Sequence, residues 1–344
     1  MTTFAINGFG RIGRTAFRVW WMFHKDELDL KAVNTSGSME IENWAHLLKY
    51  DSNYGVWDQE VTVERLKTTK DVTDEDSLLG YLTIGDRKIA VTAQRDPAKL
   101  PWASMGVNTI IESTGIFLTQ EKAGLHLQAG AQRVILSAPA KGDGIQTGVL
   151  GVNQTTGQVM SNASCTTNCV APVTAVMQEQ FGIAKALMST IHAYTDDQNL
   201  QDNSHRDLRR ARTAGVNIIP TSTGAAIAVT ETIPELKGLF DGISYRVPVS
   251  VGSISDMVFV TKRPTTVEEV NQKLTEASQS DRWKGLLAVT TEPIVSSDIV
   301  GRRESSIVDL ALTQVIGGDL VKVVSWYDNE FGYCNRLIEQ VLKA

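Results

Sequence analysis

Hydrophobic and polar residues follow two different patterns along the chain. The first half contains short, nearly continuous apolar runs at 3–7, 28–33, 88–92, 109–112 and 133–136. These runs are separated by irregular or helix-compatible segments, such as 14–24, and that alternation is typical of a doubly wound parallel sheet. From about Gly182 onward the runs are longer, and several alternate polar with apolar residues, at 242–248, 253–261 and 320–327. The second pattern predicts a mostly antiparallel sheet with one covered face.

The change of pattern predicts two domains of an α/β protein, for which a chain of 344 residues is long enough. An N-terminal Rossmann-like domain with a doubly wound parallel sheet spans 1–163. It is completed by a C-terminal helix at 329–344, where apolar residues recur at helical spacing. An α+β catalytic domain built on a mostly antiparallel sheet spans 164–328 and includes a loop at 193–220.

Composition limits the classes of partner. The chain is 42% hydrophobic and 21% charged, as ordinary globular proteins are, and its net charge of −6 argues against nonspecific binding of nucleic acid. No apolar run approaches membrane-spanning length, and the chain enters a strand pattern without a signal-like segment. Three cysteines without an evident disulfide framework fit a reducing compartment. We therefore expect a cytoplasmic protein that binds neither nucleic acid nor membrane.

A glycine-rich turn follows the first predicted strand. Gly8, Gly10 and Gly13 form a GxGxxG motif between that strand and the first helix, where backbone amides can approach a pyrophosphate. A glycine-rich structural turn is the alternative. Ser113-Thr114 and Ser137 follow two later strands, where the cofactor-contacting loops of such sheets lie, although either segment could be a simple turn.

The second strand predicts which dinucleotide is used. It ends in Asn34-Thr35-Ser36-Gly37, about 20 residues after the glycines, where an NAD-selective site usually carries Asp or Glu for the ribose hydroxyls. That acidic residue is absent, so nothing repels a 2′-phosphate, and neutral hydroxyl groups could donate hydrogen bonds to it. We expect NADP or NAD to bind, with NADP favoured. The alternative is that Asn34 or a backbone group serves the ribose and NAD is used.

A cysteine among small polar residues is the candidate nucleophile. Cys165 precedes the helix-like run 170–181, and a helix start stabilises a thiolate through the macrodipole and unpaired amides. Cys169 follows four residues later, so a buried thiol pair or half of a metal site are the alternatives. No further Cys or His lies nearby at ligand spacing, and no metal is predicted.

A catalytic cysteine needs a histidine partner, and His192 is the best candidate among five. It lies where a β-branched run enters a polar loop, so its imidazole could emerge from a sheet edge toward a thiol. We expect an ion pair between Cys165 and His192. A core or solvated histidine is the alternative.

Several motifs in order resemble the phosphorylating glyceraldehyde-3-phosphate dehydrogenases, from Ala5 to the final helix. They are NGFGRIGR at 7–14, SNASCTTNC at 161–169, HAYTDDQ at 192–198, RDLRRAR at 206–212, NIIPTSTGAA at 217–226 and WYDNEFGY at 326–333. The resemblance implies that Cys165 attacks the aldehyde to give a hemithioacetal. His192 lowers the thiol pKa for this attack and then accepts the hydroxyl proton as hydride leaves. Phosphate attacks the resulting thioester and releases 1,3-bisphosphoglycerate.

The same resemblance implies two anion pockets and an oligomer. The substrate phosphate is assigned to Thr195, Asp197, Arg210 and Arg246, and the attacking phosphate to Ser164, Thr166, Thr223 and Gly224. Asn329 is assigned to the nicotinamide carboxamide, and the loop at 193–220 to a neighbouring subunit in a homotetramer. Ser204, on this loop, resembles a serine that helps to accept a 2′-phosphate. The complete predicted cofactor site comprises Gly8, Gly10, Arg11, Ile12, Gly13, Asn34, Thr35, Ser36, Arg95, Ser113, Thr114, Ser137, Ser204 and Asn329.

Two other functions remain open at this point. An erythrose-4-phosphate dehydrogenase shares the fold, the cysteine and the histidine, and differs in how it handles the acyl intermediate. A non-catalytic redox sensor or interaction protein could use Cys165 as an oxidisable thiol. Turnover with substrate, cofactor and phosphate separates these classes.

Overall fold

The structure, a computed structural model, describes residues 1–343 and divides into two compact units. Unit 1 comprises residues 1–147, 155–162 and those from 334 onward, and unit 2 comprises 148–154 and 163–333. Residues 148–154, 163 and 329–333, which the sequence pattern assigns to the first domain, group with unit 2. No helix in residues 1–343 combines the length and apolar character needed to cross a bilayer.

The helices are α1 (Arg11–Phe23), α2 (Ile41–Lys49), α3 (Gln120–Gln128), α4 (Cys165–Phe181), α5 (Ala225–Thr232), α6 (Val267–Ser278) and α7 (Phe331–Leu342). The strands of unit 1 are β1 (Thr2–Asn7), β2 (Leu28–Thr35), β3 (Tyr50–Asp51), β4 (Gly55–Val56), β5 (Thr62–Arg65), β6 (Leu78–Ile84), β7 (Arg87–Ala93), β8 (Thr109–Glu112), β9 (Arg133–Leu136), β10 (Gln146–Thr147) and β11 (Val159–Ser161). The strands of unit 2 are β12 (Ile183–Ala193), β13 (Ile219–Ser222), β14 (Phe240–Val247), β15 (Ser253–Thr261), β16 (Leu287–Thr290), β17 (Ser306–Asp309), β18 (Gln314–Ile316) and β19 (Leu320–Tyr327).

Unit 1 contains a nine-stranded sheet in the order β10-β11-β9-β8-β1-β2-β7-β6-β5. The strands from β10 to β7 are parallel to their neighbours, while β6 and β5 are antiparallel. The predicted doubly wound parallel sheet is therefore confirmed. The chain winds from β1 to β2 on one side and reaches β8 on the other, so the carboxyl ends of β1 and β8 form the switch point where such sheets bind ligands.

The packing of α1 fixes the start of the first crossover. Trp20 is fully buried, makes edge-to-face contacts with Phe4 and Phe17, and donates from Nε1 to the carbonyl of Leu28 at 2.9 Å. These contacts tie α1 to both β1 and β2. The helix begins at Arg11, three residues before the predicted start, because the glycines of the turn carry no apolar signal.

Unit 2 is built on a sheet in the order β13-β14-β12-β15-β19-β17-β16, with β18 paired to β19. Antiparallel pairs dominate, as predicted, but β12 and β14 are parallel, as are β16 and β17. Helix α4 is buried along most of its length and contributes Val170, Val173 and Met177 to the core of this unit. The parallel register of β12 with β14 places His192 opposite Arg246.

Candidate active site

Cys165 is the first residue of α4 and faces the amide end of that helix. The preceding Ser164 is extended and caps the helix, since its hydroxyl accepts from the Thr167 N–H at 3.1 Å. Ala163 has φ 57°, the sole positive value for a non-glycine residue among residues 1–343, and its carbonyl accepts from the Tyr333 hydroxyl at 2.9 Å. This left-handed residue turns the chain from β11 into the cap, a conformation that tertiary contacts must hold.

Cys165 and His192 are in hydrogen-bonding contact. The Sγ atom lies 3.3 Å from Nε2 of the imidazole, and Nδ1 lies 2.7 Å from the carbonyl oxygen of Ala193. Nδ1 also lies 2.9 Å from Nη1 of Arg246, and because a carbonyl oxygen can only accept and a guanidinium can only donate, these two contacts favour opposite tautomers. The shorter contact, to the carbonyl oxygen, favours a proton on Nδ1 and a lone pair on Nε2 facing the thiol. That tautomer is the one that a general base requires.

The charge state of this pair differs from the sequence expectation. Burial raises the pKa of Cys165 above its ordinary value, and this outweighs the opposing effects of the Arg246 charge and of Thr166. Burial, reinforced by Arg246, also lowers the pKa of His192 to about 3. Both shifts oppose the predicted thiolate–imidazolium ion pair and lowered thiol pKa, and they favour a neutral thiol beside a neutral imidazole in this state. The positive helix end is present, but desolvation is the larger effect.

His192 should make folding sensitive to acid. The unfolded imidazole takes up a proton near pH 6.5, whereas the folded one stays neutral down to about pH 3. The contribution of His192 to the free energy of unfolding is therefore complete above pH 6.5 and is lost as pH falls toward 3. We expect the Tm of the wild-type protein to fall more between about pH 7 and about pH 4.5 than the Tm of H192N. Calorimetry at both pH values checks this, and equal decreases would contradict it.

Two arginines lie beside the pair. The Nη1 atom of Arg246 lies 2.9 Å from Nδ1 of His192, and it donates to the carbonyl of Ala193 at 3.1 Å and to the Thr195 hydroxyl at 3.5 Å. Arg210 donates to Asp197 at 2.5 Å, and also to the Thr221 hydroxyl and the Ser222 carbonyl. The residues predicted to bind the substrate phosphate thus form two arginine-centred pairs, and both positive charges act on the His192 imidazole.

The residues predicted for the attacking phosphate lie at two helix N-termini. Ser164 caps α4, and Thr166 is buried with its hydroxyl bonded to the Tyr327 hydroxyl at 2.8 Å. Gly224 precedes α5, and the Thr223 hydroxyl accepts from the Ala225 N–H. No hydrogen bond among residues 1–343 joins the two helix starts, so their convergence on one anion stays a prediction.

Tyr327 contacts the pair and was not singled out by sequence reasoning. Its ring meets the His192 ring edge-on, with centroids 5.9 Å apart, and its hydroxyl bonds to Thr166 and Thr190 at 2.8 Å. Burial raises the pKa of this phenol, so it stays neutral. The motif WYDNEFGY contains Tyr327, but only the sheet register reveals that β19 carries it to the imidazole.

Asn329 follows β19 and has a fixed amide orientation. Its Oδ1 atom accepts from the Gly252 N–H and from the Ser253 hydroxyl, both at 3.0 Å. A ligand carboxamide could therefore meet only the Nδ2 donor, which suits the oxygen of a nicotinamide amide. The assignment of Asn329 to the cofactor remains a prediction.

The glycine turn of unit 1 has the space that a pyrophosphate needs. Gly8 has φ +98°, and a Cβ on Gly13 would lie 2.1 Å from the Gly8 carbonyl oxygen, so neither position admits a side chain. A Cβ on Gly10 would meet nothing within 4 Å, and the first turn of α1 contains no acidic residue. The space beside Gly10 is therefore open, and the N–H groups of Arg11, Ile12 and Gly13 belong to the first turn of α1, the position at which dinucleotide-binding folds meet a pyrophosphate.

Two of the residues predicted for the ribose are occupied inside the fold. The Asn34 amide donates to Asn7 and to the Gln94 carbonyl, and accepts from the Thr92 hydroxyl and the Gln94 N–H. Thr35 is 2% exposed and its hydroxyl donates to the Thr92 carbonyl. Neither side chain can donate to a ribose or 2′-phosphate without leaving these bonds, so their predicted direct contacts are not supported. Both were chosen for sequence position, which does not show burial.

Ser36 and Arg95 are instead exposed and adjacent. The Nε atom of Arg95 donates to the Ser36 carbonyl at 3.2 Å, which brings a guanidinium to the end of β2. Ser113 donates to the Gly8 carbonyl at 2.7 Å, and the Ser137 N–H donates to the Glu112 carbonyl, so both lie at the carboxyl edge of the sheet. Ser204 is exposed on the loop at 193–220, within unit 2.

Comparisons with known proteins agree with this division. The family model described as "Glyceraldehyde 3-phosphate dehydrogenase, NAD binding domain" matches residues 2–120, and the C-terminal domain of the same family matches 164–329. The chain is 48% identical over 342 residues to glyceraldehyde-3-phosphate dehydrogenase 1 of Streptomyces avermitilis, covering 98% of this chain and 96% of that protein. It is 48% identical over 339 residues to the glyceraldehyde-3-phosphate dehydrogenase of Zymomonas mobilis, covering 97% and 96%. It is 46% identical over 341 residues to the chloroplastic glyceraldehyde-3-phosphate dehydrogenase B of Pisum sativum, covering 97% of this chain and 72% of that protein.

Proposed function

Since the chain belongs to the glyceraldehyde-3-phosphate dehydrogenase family and is an NAD(P)-dependent oxidoreductase acting on an aldehyde, we propose that Cys165 and His192 carry its chemistry. The reaction is the reversible oxidation of glyceraldehyde 3-phosphate, with phosphate, to 1,3-bisphosphoglycerate. The observation that supports the assignment is the 3.3 Å contact between Sγ and the lone pair of Nε2 at the start of α4. A neutral thiol beside a neutral base of the correct tautomer can transfer its proton at the moment of attack.

The proton then moves between three atoms. As the Sγ–carbon bond forms, Nε2 takes the thiol proton and returns it to the substrate oxygen, which gives a hemithioacetal. When hydride leaves the carbon, Nε2 accepts the hydroxyl proton, and a thioester on Cys165 remains. The bound dinucleotide supplies the hydride acceptor. Phosphate oxygen then attacks the thioester carbon, the carbon–sulfur bond breaks, and the acyl phosphate is released.

The arginine-centred pairs are proposed to hold the substrate phosphate. Arg246 is the closer to the base, through the Ala193 carbonyl that both share, and Arg210 is oriented by Asp197. A guanidinium suits this task because its planar fork remains charged in a buried site. Ser164, the Thr166 N–H, Thr223 and Gly224 are proposed for the attacking phosphate, supported by the two helix N-termini at which they lie.

NADP is the proposed preferred cofactor, with NAD also accepted. Support comes from the absence of an acidic side chain at the end of β2, and from the exposed Ser36 hydroxyl beside the Arg95 guanidinium. A positive, hydrogen-bonding surface at this point favours a 2′-phosphate over a 2′-hydroxyl. Gly8, Gly10 and Gly13, with Arg11 and Ile12, are proposed to hold the pyrophosphate.

Arg95 gives the cofactor proposal a direct test. We expect R95Q to raise the KM for NADP by about tenfold while the KM for NAD changes less than about twofold, because only NADP carries the charge that Arg95 meets. Arg87 lies at the opposite end of β7, bonded to the Lys25 carbonyl, and provides a matched control. In R87Q the KM values for NAD and NADP should both stay within about twofold of wild type. An equal rise in the two KM values in R95Q would argue against a contact between Arg95 and the 2′-phosphate.

Initial rates test the proposed activity itself. The wild-type protein is assayed with glyceraldehyde 3-phosphate and phosphate, comparing NAD with NADP over a concentration series, and then with erythrose 4-phosphate. Phosphate-dependent turnover of glyceraldehyde 3-phosphate is the expected result. Preferential turnover of erythrose 4-phosphate would favour the rival dehydrogenase, and no turnover of either would favour a non-catalytic protein.

A homotetramer is proposed because unit 2 exposes large apolar residues. Leu187 and Ile227, each 65% exposed, line a groove of about 1010 Å³ on the unit 2 sheet. Leu200 and Leu208, 80% and 81% exposed, lie on the loop at 193–220. Exposed apolar area of this kind is typical of subunit interfaces. We also propose a cytoplasmic location, since the mechanism needs a reduced thiol and neither Cys165 nor Cys169 is in a disulfide.

A further inference from the structure

Six buried polar side chains form one continuous hydrogen-bonded network in unit 1. Its members are Thr92, Asn34, Asn7, Glu112, His126 and Trp102, and each is at most 3% exposed. The first four lie on β7, β2, β1 and β8, which are adjacent in the sheet, and all are at or near the carboxyl ends of their strands. His126 comes from α3, and Trp102 from the segment before β8. We call this set the buried polar network.

Trp102 determines the tautomer of His126. The indole Nε1 atom can only donate, and it lies 3.0 Å from Nδ1 of the imidazole. Nδ1 is therefore the acceptor, and the ring proton is on Nε2, which lies 3.0 Å from Glu112 Oε2. His126 is thus a neutral donor to Glu112, and the two do not form an ion pair.

Glu112 accepts from donors on both carboxyl oxygens. Oε2 receives the His126 N–H and the Asn7 side-chain amide. Oε1 receives the Thr114 N–H at 2.8 Å and the Thr114 hydroxyl. Four donors around one fully buried group require an acceptor-only carboxylate. A glutamine here would bring an N–H₂ group against two donors, whichever way its amide was turned.

These contacts extend to the turn that is proposed to hold the pyrophosphate. Asn7 Oδ1 accepts from Asn34 at 2.6 Å, and the Asn34 carbonyl accepts from the Gly8 N–H at 3.0 Å. The Ser113 hydroxyl donates to the Gly8 carbonyl at 2.7 Å. A Cβ on Gly8 would lie only 2.7 Å from the Thr114 nitrogen, so the glycine turn and the loop after β8 are in direct backbone contact. Moving that loop must move the turn.

We propose that Glu112 is a positioning residue for dinucleotide binding. Its carboxylate fixes Asn7 on one oxygen and Thr114 on the other, and thereby sets the geometry of the Gly8 turn, without touching the cofactor. His126, in the tautomer that Trp102 selects, holds the carboxylate in place. The inference rests on the proposed function, since it concerns the affinity of the same NAD(P) site. We expect a change at Glu112 to weaken the binding of NAD and NADP alike, because both carry the pyrophosphate that the Gly8 turn is proposed to hold.

The first experiment measures dinucleotide binding by E112Q. We expect the dissociation constants of NAD and NADP each to rise roughly tenfold or more. The N–H₂ group of the new glutamine would face the N–H and O–H donors that now bind the carboxylate, with no acceptor in reach. The matched pair H126Q and H126L provides a rescue test at one buried position. In H126Q the glutamine keeps an N–H for Glu112, so the dissociation constants of both dinucleotides should stay within about threefold of wild type. In H126L that donor is lost, and the dissociation constants should rise roughly tenfold.

A reaction that needs no dinucleotide serves as the internal control. Acylation of Cys165 by p-nitrophenyl acetate reports on unit 2, and its rate should stay within about twofold in all three variants. Unchanged NAD and NADP affinity in E112Q would overturn the proposal. Should E112Q not fold, equal affinities in H126Q and H126L would overturn it instead. Wild-type protein that bound neither dinucleotide would refute the proposed function and this inference together, whereas failure in the variants alone refutes only the inference.

Discussion

The C165S variant is expected to lose about 10⁴-fold or more of kcat with glyceraldehyde 3-phosphate. A serine hydroxyl is a far weaker nucleophile than a thiol, and it is also a far weaker acid, so His192 would take its proton much less readily. An oxygen ester would also replace the thioester that phosphate must cleave. The measurement is phosphate-dependent reduction of NAD and NADP at saturating substrate.

Cys169 provides the matched control for this substitution. It lies one helical turn along α4, fully buried, with Sγ 3.9 Å from the Ser306 hydroxyl and from the Ser325 carbonyl. Burial raises its pKa to about 12, so it stays protonated and unreactive. C169A should retain kcat within about threefold and should lose only some stability. A comparable collapse of activity in C169A, or substantial turnover by C165S, would remove Cys165 from the proposed role.

Sequence periodicity predicted the sheets well where strands are buried on both faces. The runs at 109–112 and 133–136 are strands over the same residues, because all or nearly all of their side chains are buried and their central positions are apolar. The hairpin strand β5 was not predicted, since three of its four residues are exposed and no apolar run marks it. Helix α4 begins at Cys165, before its apolar residues start, because a cap and a left-handed residue set that boundary.

Sequence motifs predicted the pairing of Cys165 with His192, which are in contact, but not the directions in which burial shifts their pKa values. The pairing of Cys165 with His192 follows from residue types, whereas the neutral form of both depends on desolvation, which only the packed structure defines. The same limit applies at the end of β2. Thr35 occupies the expected motif position, yet its hydroxyl is turned into the fold, and the exposed polar groups belong to Ser36 and Arg95.

The contact of His192 with Arg246 shows why a base of lowered pKa is useful here. An anion pocket needs positive charge, and that charge disfavours a protonated imidazole beside it. In the proposed mechanism, His192 would therefore release its proton readily after each transfer and would be unprotonated, ready to accept another, at physiological pH. The shared Ala193 carbonyl allows the arginine and the base to lie together, since it accepts from both.

Replacing His192 with asparagine is expected to lower kcat by about 10² to 10⁴-fold, with a much smaller change in substrate KM. Asparagine cannot accept a proton at the position of Nε2, so thiolate must form by ionisation to solvent, against the raised pKa of Cys165. The activity of H192N should consequently rise steeply with pH, and the deficit relative to wild type should narrow in alkaline solution. The exposed His46 on α2 serves as control, and H46N should match wild type at every pH. A pH-independent deficit in H192N would mean that His192 acts by positioning the thiol and not by accepting its proton.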